Sequence, residues 1–205
     1  MPPHPIRYCY TDFSLAHCCY RPQADSNTIN INLKGGILIR NSTKNMVLCA
    51  LFAALMAICA WICVPVMDIA YTLQTFGIFL TLGLLGGKRG SGTIFIYLLL
   101  GAAGMPVFSG FRGGIGMLAG VTGGYLWGFL AGGLVYWAIE RFGKLPAMIA
   151  CLVTCYVCGS AWFYLYAGGG LWLIFLRCVL PYLLPDGLKL ALAYILTRRL
   201  SRHLT

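Results

Sequence analysis

The sequence predicts an all-α integral membrane protein with six transmembrane helices and both termini in the cytoplasm. Composition is the first reason. Of 205 residues, 60% are hydrophobic and 10% charged, and the mean hydropathy is +0.80. A soluble domain carries about 25% charged residues, whereas a surface that meets lipid needs few. The second reason is six apolar runs from Met46 onward. The third is that every second connection between those runs is basic.

The runs cover residues 46–66, 73–87, 93–107, 115–139, 145–167 and 171–196, the last broken by Pro181 and Pro185. Lys44 precedes the first run. Lys88 and Arg89 lie between the second and third, Arg141 and Lys144 between the fourth and fifth, and Arg198, Arg199 and Arg202 after the sixth. The other connections hold only Asp68, Arg112 and a glycine run. By the excess of positive charge on cytoplasmic loops, this places both termini and the basic connections inside. Residues 1–45 lack a spanning run. They read as a cytoplasmic, flexible extension, or as sequence upstream of a start near Met46. No apolar core with a cleavage site marks a signal peptide. Residues 46–205 form the membrane domain.

The net charge of +10 does not point to nucleic acid, because the basic residues form small groups between apolar runs rather than one stripe. Seven of the ten cysteines, including Cys151, Cys155 and Cys158, lie inside apolar runs and read as small packing residues. The CxxC at Cys155 and Cys158 has no second pair or nearby His, so no metal site is expected. Glycines over 110–124 lack the GxxxxGK[ST] phosphate cradle and read as places of close backbone approach. No cofactor is implied.

Two runs are short. Residues 73–87 make roughly 22 Å of helix against a hydrocarbon core of about 30 Å, and the part of the last run after Pro185 is equally short. Non-helical backbone at membrane depth is tolerated where protein or a water-filled cavity satisfies it, and transporters bind substrate there. Asp186 and Lys189, three apart, share a helix face. The two prolines are expected to start the last helix, placing Asp186 at or beside its N-terminus. An acid and a base in an apolar run must pair or line a cavity. The carboxylate would accept ligand N–H groups and the ammonium would donate to a carbonyl or carboxylate; a cap with a local ion pair is the alternative. Thr72, Gln74 and Thr75 open the second run as a pocket rim or as helix-start residues. Arg112 attracts an anion or is a solvated loop residue, and Tyr125 stacks on or bonds a ligand. Ala50, Ala53, Ala54 and Ala57 form small-xxx-small pairs for a close helix partner, internal or on another subunit.

Read in order, Thr72-Leu73-Gln74-Thr75, the stretch YLLLGAAGMPVF at residues 97–108, Gly123-Gly124-Tyr125, and Pro181…Asp186…Lys189 resemble the BioY family. Its members are the biotin-binding S components of energy-coupling factor importers. The resemblance runs over about residues 46–200 and implies an S-component fold with an outward-facing pocket in a multi-pass cell-membrane protein. It implies biotin held by Asp186 and Lys189, a gating loop around Thr72 and Gln74, and the alanine face of the first helix docked on a transmembrane coupling subunit driven by two ATPases. It implies transport rather than an enzymatic reaction. The sequence departs from the family pattern at Leu184, where a proline is usual, at Pro185, directly before the acid, and at Gly187. Where members often carry a ligand-reaching Asn, Ser109, Gly110 and Phe111 stand, and Ser109 is the residue able to take that contact. The same architecture reading another vitamin is a second possibility. A small intramembrane enzyme is a third, with Asp186 and Lys189 as its one acid–base pair.

Overall fold

The computed structural model describes residues 30–64, 71–168 and 170–204. Asp68, Gly169 and the greater part of the 1–45 extension lie outside the described residues. The chain divides into two compact units, Met1–Asn41 and Ser42–Thr205. The second carries the core and the site.

Eight helices make up nearly all of the described chain. Helix α1 spans Asn30–Trp61, and a two-stranded antiparallel hairpin follows, β1 (Cys63–Val64) and β2 (Tyr71–Thr72). Then come α2 (Gln74–Leu85), α3 (Gly87–Ala102), α4 (Ile115–Ala119), α5 (Gly123–Ile139), α6 (Lys144–Ala167), α7 (Leu171–Cys178) and α8 (Leu180–Leu204). A 3-10 turn, Glu140–Phe142, links α5 to α6. By length and composition, the segments Thr43–Trp61 and Lys144–Tyr166 suffice to cross a membrane. Helices α3 and α5 have 16 and 17 residues, roughly 24–26 Å. Large apolar side chains point outward all round the unit, among them Leu51, Phe95, Trp127, Val153, Leu165 and Leu184. Such an apolar exterior suits lipid, not water.

The element boundaries correct the sequence reading in four places. The first run was expected to reach residue 66, but α1 ends at Trp61 and the chain turns into the hairpin. Lys88 and Arg89 were expected in a loop; instead Gly86 alone separates α2 from α3, at a φ of +79° that favours glycine, and both cations sit in the first turn of α3. Cations are disfavoured at that end of a helix. The Glu140 carboxylate offsets them by accepting the Gly87 N–H at 2.6 Å. The run 115–139 is cut at Gly120–Thr122 into α4 and α5. Finally, α8 begins at Leu180, six residues before Asp186, so the acid is not at the helix N-terminus.

That last correction has a definite cause. Pro181 sits in the first turn of α8, where an N–H would have no helical partner in any case. Pro185 lies inside the helix and deprives the Pro181 carbonyl of its partner four residues on. The Tyr71 hydroxyl of β2 donates to that carbonyl at 2.7 Å, and the Tyr71 and Tyr182 rings stack with centroids 4.5 Å apart. With the freed acceptor satisfied, the helix continues through the proline.

The interior is built on close helix approach. Gly124, Gly128 and Gly132 recur every four residues on α5 and receive α6 directly. A Cβ at Gly128 would lie 3.1 Å from Cys155 Cα, one at Gly132 would lie 2.8 Å from Cys151 Sγ, and one at Gly124 would run into Trp162. Cys151 and Cys155 are buried in this seam, serving as small packing residues; the Cys155 thiol donates to the Gly128 carbonyl at 3.2 Å. Helix α1 packs its Ala53, Met56, Ala57 and Ala60 face inward, meeting α2 at Gly77, where a Cβ would be 3.3 Å from Cys59 Cβ. Ala53 and Ala57, read from the sequence as part of a partner surface, are therefore occupied within the chain. Ala50 and Ala54 remain exposed.

The two ends of the bundle differ in chemistry. At one end Glu140 holds the start of α3, Lys144 Nζ donates to the Gly83 carbonyl of α2 at 3.1 Å, and Thr197 of α8 packs on Gly83. Lys88, Arg89, Arg141, Lys144, Arg198 and Arg199 gather at this end. At the other, Trp61 of α1 stacks on Phe111 at 4.8 Å and donates from Nε1 to the Pro106 carbonyl at 2.8 Å.

Two outcomes test this packing. Gly128→Leu overpacks the α5–α6 seam and lowers the thermal midpoint of the detergent-solubilised protein, with an expected cost of about 1–3 kcal/mol; Gly92→Leu, inside α3 with nothing within 4 Å of the added Cβ, does not lower the midpoint. Tyr71→Phe costs about 1 kcal/mol by orphaning the Pro181 carbonyl, and most of this loss vanishes in a Pro185→Ala background that restores the helical N–H. Equal losses in both backgrounds would refute the account of the proline.

Candidate functional site

Five segments converge on a cavity of ≈ 230 Å³. From α8, Tyr182, Asp186 and Lys189 follow the i, i+4, i+7 spacing that places side chains on one helix face. From α6 come Leu152, Cys155 and Tyr156, again on one face. The α4–α5 region supplies Met117, Thr122, Tyr125, Leu126 and Phe129. The hairpin and the start of α2 supply Thr72, Gln74 and Thr75, and the loop after α3 supplies Phe108, Ser109 and Arg112.

Local structure explains how each segment reaches the cavity. After α3, Gly110 and Phe111 both have positive φ, +70° and +57°, and the Phe108 N–H bonds the Arg112 carbonyl at 3.0 Å. Residues 109–111 form the turn between these partners, and two of the three hold positive φ. For Phe111 that conformation is unfavourable, and its stacking on Trp61 helps to hold it. The turn directs Ser109 and Arg112 toward the cavity. Gly101 makes room beneath it, because a Cβ there would collide with the Phe108 ring. Tyr97 meets that ring edge-on at 5.7 Å.

The polar floor is built around Asp186, only 4% exposed. Its Oδ1 accepts from Lys189 Nζ at 2.8 Å and from Thr75 Oγ1 at 3.1 Å, and its Oδ2 accepts from Tyr156 Oη at 2.8 Å. Lys189 Nζ also donates to the Thr72 carbonyl at 2.7 Å. An ammonium carries three donors, so one remains for a ligand among the described residues. Gln74 is buried and its Nε2 donates to Tyr97 Oη at 2.9 Å, which in turn donates to the Val107 carbonyl at 2.8 Å. This chain ties the start of α2 to the loop after α3.

All seven residues singled out from the sequence as substrate contacts, Thr72, Gln74, Ser109, Arg112, Tyr125, Asp186 and Lys189, line this one cavity. Their parts differ. Thr72 offers its backbone carbonyl to Lys189. Tyr125 donates its hydroxyl to the Cys178 carbonyl at 3.0 Å, and its ring lies against Gly159, so a face of the ring rather than a free hydroxyl is available. Arg112 is exposed at the rim. Sequence reasoning missed Tyr156 and the apolar wall of Phe108, Phe129, Leu126 and Leu152. Nothing local marks Tyr156, since its partner is 30 residues away on another helix.

The arrangement can hold one small molecule. A carboxylate and an ammonium meet at its base, aromatic and aliphatic side chains enclose its body, and a cation stands at its rim. Such a site suits a compact apolar ligand with N–H donors and a separate acceptor or anionic group.

Comparisons with known proteins bear on the family and the fold. The chain is 44% identical over 92 residues to the "Biotin transporter BioY" of Thermotoga maritima, an alignment covering 45% of this chain and 54% of that protein, about half its length. It is 39% identical over 159 residues to the "Probable biotin transporter BioY" of Pyrococcus horikoshii, covering 77% of this chain and 96% of the relative. Among solved structures, the S-component for biotin from an ECF-type ABC transporter superposes with a TM-score of 0.74 at 22% identity, over 80% of this chain and 93% of the other, which establishes a shared fold. The family model for BioY matches residues 28–205. With that match extending over nearly the whole chain, this protein belongs to the BioY family.

Proposed function

We propose that this chain is the substrate-capturing S component of an energy-coupling factor importer, and that its ligand is biotin. The observation that carries the reading is the Asp186–Lys189 pair at the base of a cavity walled by Phe108, Leu126, Phe129 and Leu152, in a chain of this family. Biotin is complementary to that cavity. Its ureido ring offers an N–H donor to Asp186, its fused rings fit the Phe108–Phe129–Leu152 wall, and the remaining Lys189 donor meets a carbonyl or carboxylate oxygen. Arg112 faces the anionic tail and Ser109 takes a polar contact beside it. Gln74 and Thr72 belong to the segment that gates the mouth.

Six spans account for the helices as α1, α2, α3, α4 with α5, α6, and α7 with α8. Gathering of the basic groups at the end away from the cavity supports a cytoplasmic placement of that end and of both termini. The cavity then opens outward. The chain is a multi-pass protein of the cell membrane, with residues 1–45 as a cytoplasmic extension. Its import step draws on a transmembrane coupling subunit and two ATPases. The exposed Ala50 and Ala54 face of α1 offers a close-packing surface to the coupling subunit.

Thermal unfolding in detergent tests the ligand. Biotin at about 100 times its dissociation constant is expected to stabilise the protein by roughly 2.7 kcal/mol, with no shift from other vitamins. A shift with a different vitamin alone would keep the site and change the substrate. Asp186→Ala and Lys189→Ala are expected to weaken biotin binding about 10- to 150-fold each, while circular dichroism shows retained helix; wild-type affinity in both would sink the proposed site.

A further inference from the structure

Asp186 has three partners from three helices, and only Lys189 is its neighbour on α8. Thr75 reaches it from α2 and Tyr156 from α6. A carboxylate has about four acceptor directions. Oδ1 uses two, for Lys189 and Thr75, and Oδ2 uses one, for Tyr156. Among the described residues that leaves a single direction, on Oδ2, at a residue that lines the cavity. Without Tyr156, Oδ2 would have no donor among the described residues, and the carboxylate could turn about its terminal torsion, which is broad for Asp.

From this geometry we infer that Tyr156 is a positioning residue for ligand selection. By holding Oδ2, it leaves Asp186 one fixed acceptor direction, so that the site discriminates for a ligand N–H at a defined place. The inference rests on the reading of Asp186 as the acceptor for biotin's ureido ring. It adds a residue, Tyr156, whose hydroxyl acts through the carboxylate while its ring fills space in the wall. The selectivity has a physical source: a buried acceptor left unpaired by an analogue costs more than a matched contact gains.

Two discrimination ratios, measured by competition binding on the full-length protein in detergent, test it. One compares biotin with its two N-methylated ureido analogues, which lack a head donor. The other compares biotin with biotin methyl ester, which lacks the anionic tail. In Tyr156→Phe, which keeps the ring, the head ratio is expected to fall about tenfold for the analogue blocked at the Asp186-facing nitrogen, with the tail ratio within twofold of wild type. Tyr156→Leu is expected to lower the head ratio likewise. If Phe restores the wild-type head ratio, the hydroxyl is unimportant and the inference fails. A parallel change in both ratios signifies general loosening and also overturns it, as does any change confined to the tail. A wild-type protein that fails to discriminate against either N-methyl analogue overturns the reading of Asp186 itself, an outcome distinct from normal discrimination that Tyr156→Phe leaves intact.

Discussion

A carboxylate inside an apolar bundle is tolerated only when charged or hydrogen-bonding groups surround it. Asp186 meets that demand with an ammonium and two hydroxyls contributed by α2, α6 and α8. The requirement fixes more than one side chain. It sets α2 close enough for Thr75 to reach α8, and it turns the Tyr156 face of α6 toward the same point. These three helices form the polar base of the cavity, which α5 and the loop after α3 enclose. A buried pair of this kind is weak evidence for stability, because desolvation offsets much of the attraction. The proposed role in recognition accounts for its presence at the base of a ligand-sized cavity.

Glycine and aromatic residues divide the remaining work. Where helices must come close, as in the α5–α6 seam at Gly124, Gly128 and Gly132, the absence of a side chain admits Cys151, Cys155 and Trp162. Where backbone groups lose their helical partners, a long aromatic side chain supplies the donor. Tyr71 serves Pro181, Tyr125 serves Cys178, Trp162 serves Gly120 and Trp61 serves Pro106. In hydrocarbon no water is at hand to do this. Many aromatic residues in the chain therefore act as hydrogen-bond donors to irregular backbone as well as apolar bulk.

The sequence carried the helical class and the polar end of the site because both depend on composition and short spacing. Asp186 and Lys189 stood out as charges in an apolar run, and Gln74, Ser109 and Arg112 as polar residues at breaks between runs. What lay beyond reach was set by distant partners. The start of α8 could not be read from its prolines, because the helix passes through Pro185 only by virtue of Tyr71, more than a hundred residues earlier in the chain. The inward face of α1 could not be chosen between Ala53/Ala57 and Ala50/Ala54, because the choice depends on the approach of α2 at Gly77. Tyr156 was silent for the same reason.

The straps of the cavity end are single bonds from side chains to carbonyls, whereas the seam between α5 and α6 is close contact repeated at Gly124, Gly128 and Gly132, over about two helical turns. An indole or phenol bond can break without unwinding any helix, at the cost of one bond and one rotamer change. Separation of α5 from α6 would expose the whole glycine stripe at once. The molecule is thus anisotropic in compliance, with one pole that yields in small independent steps and a spine that yields only as a unit.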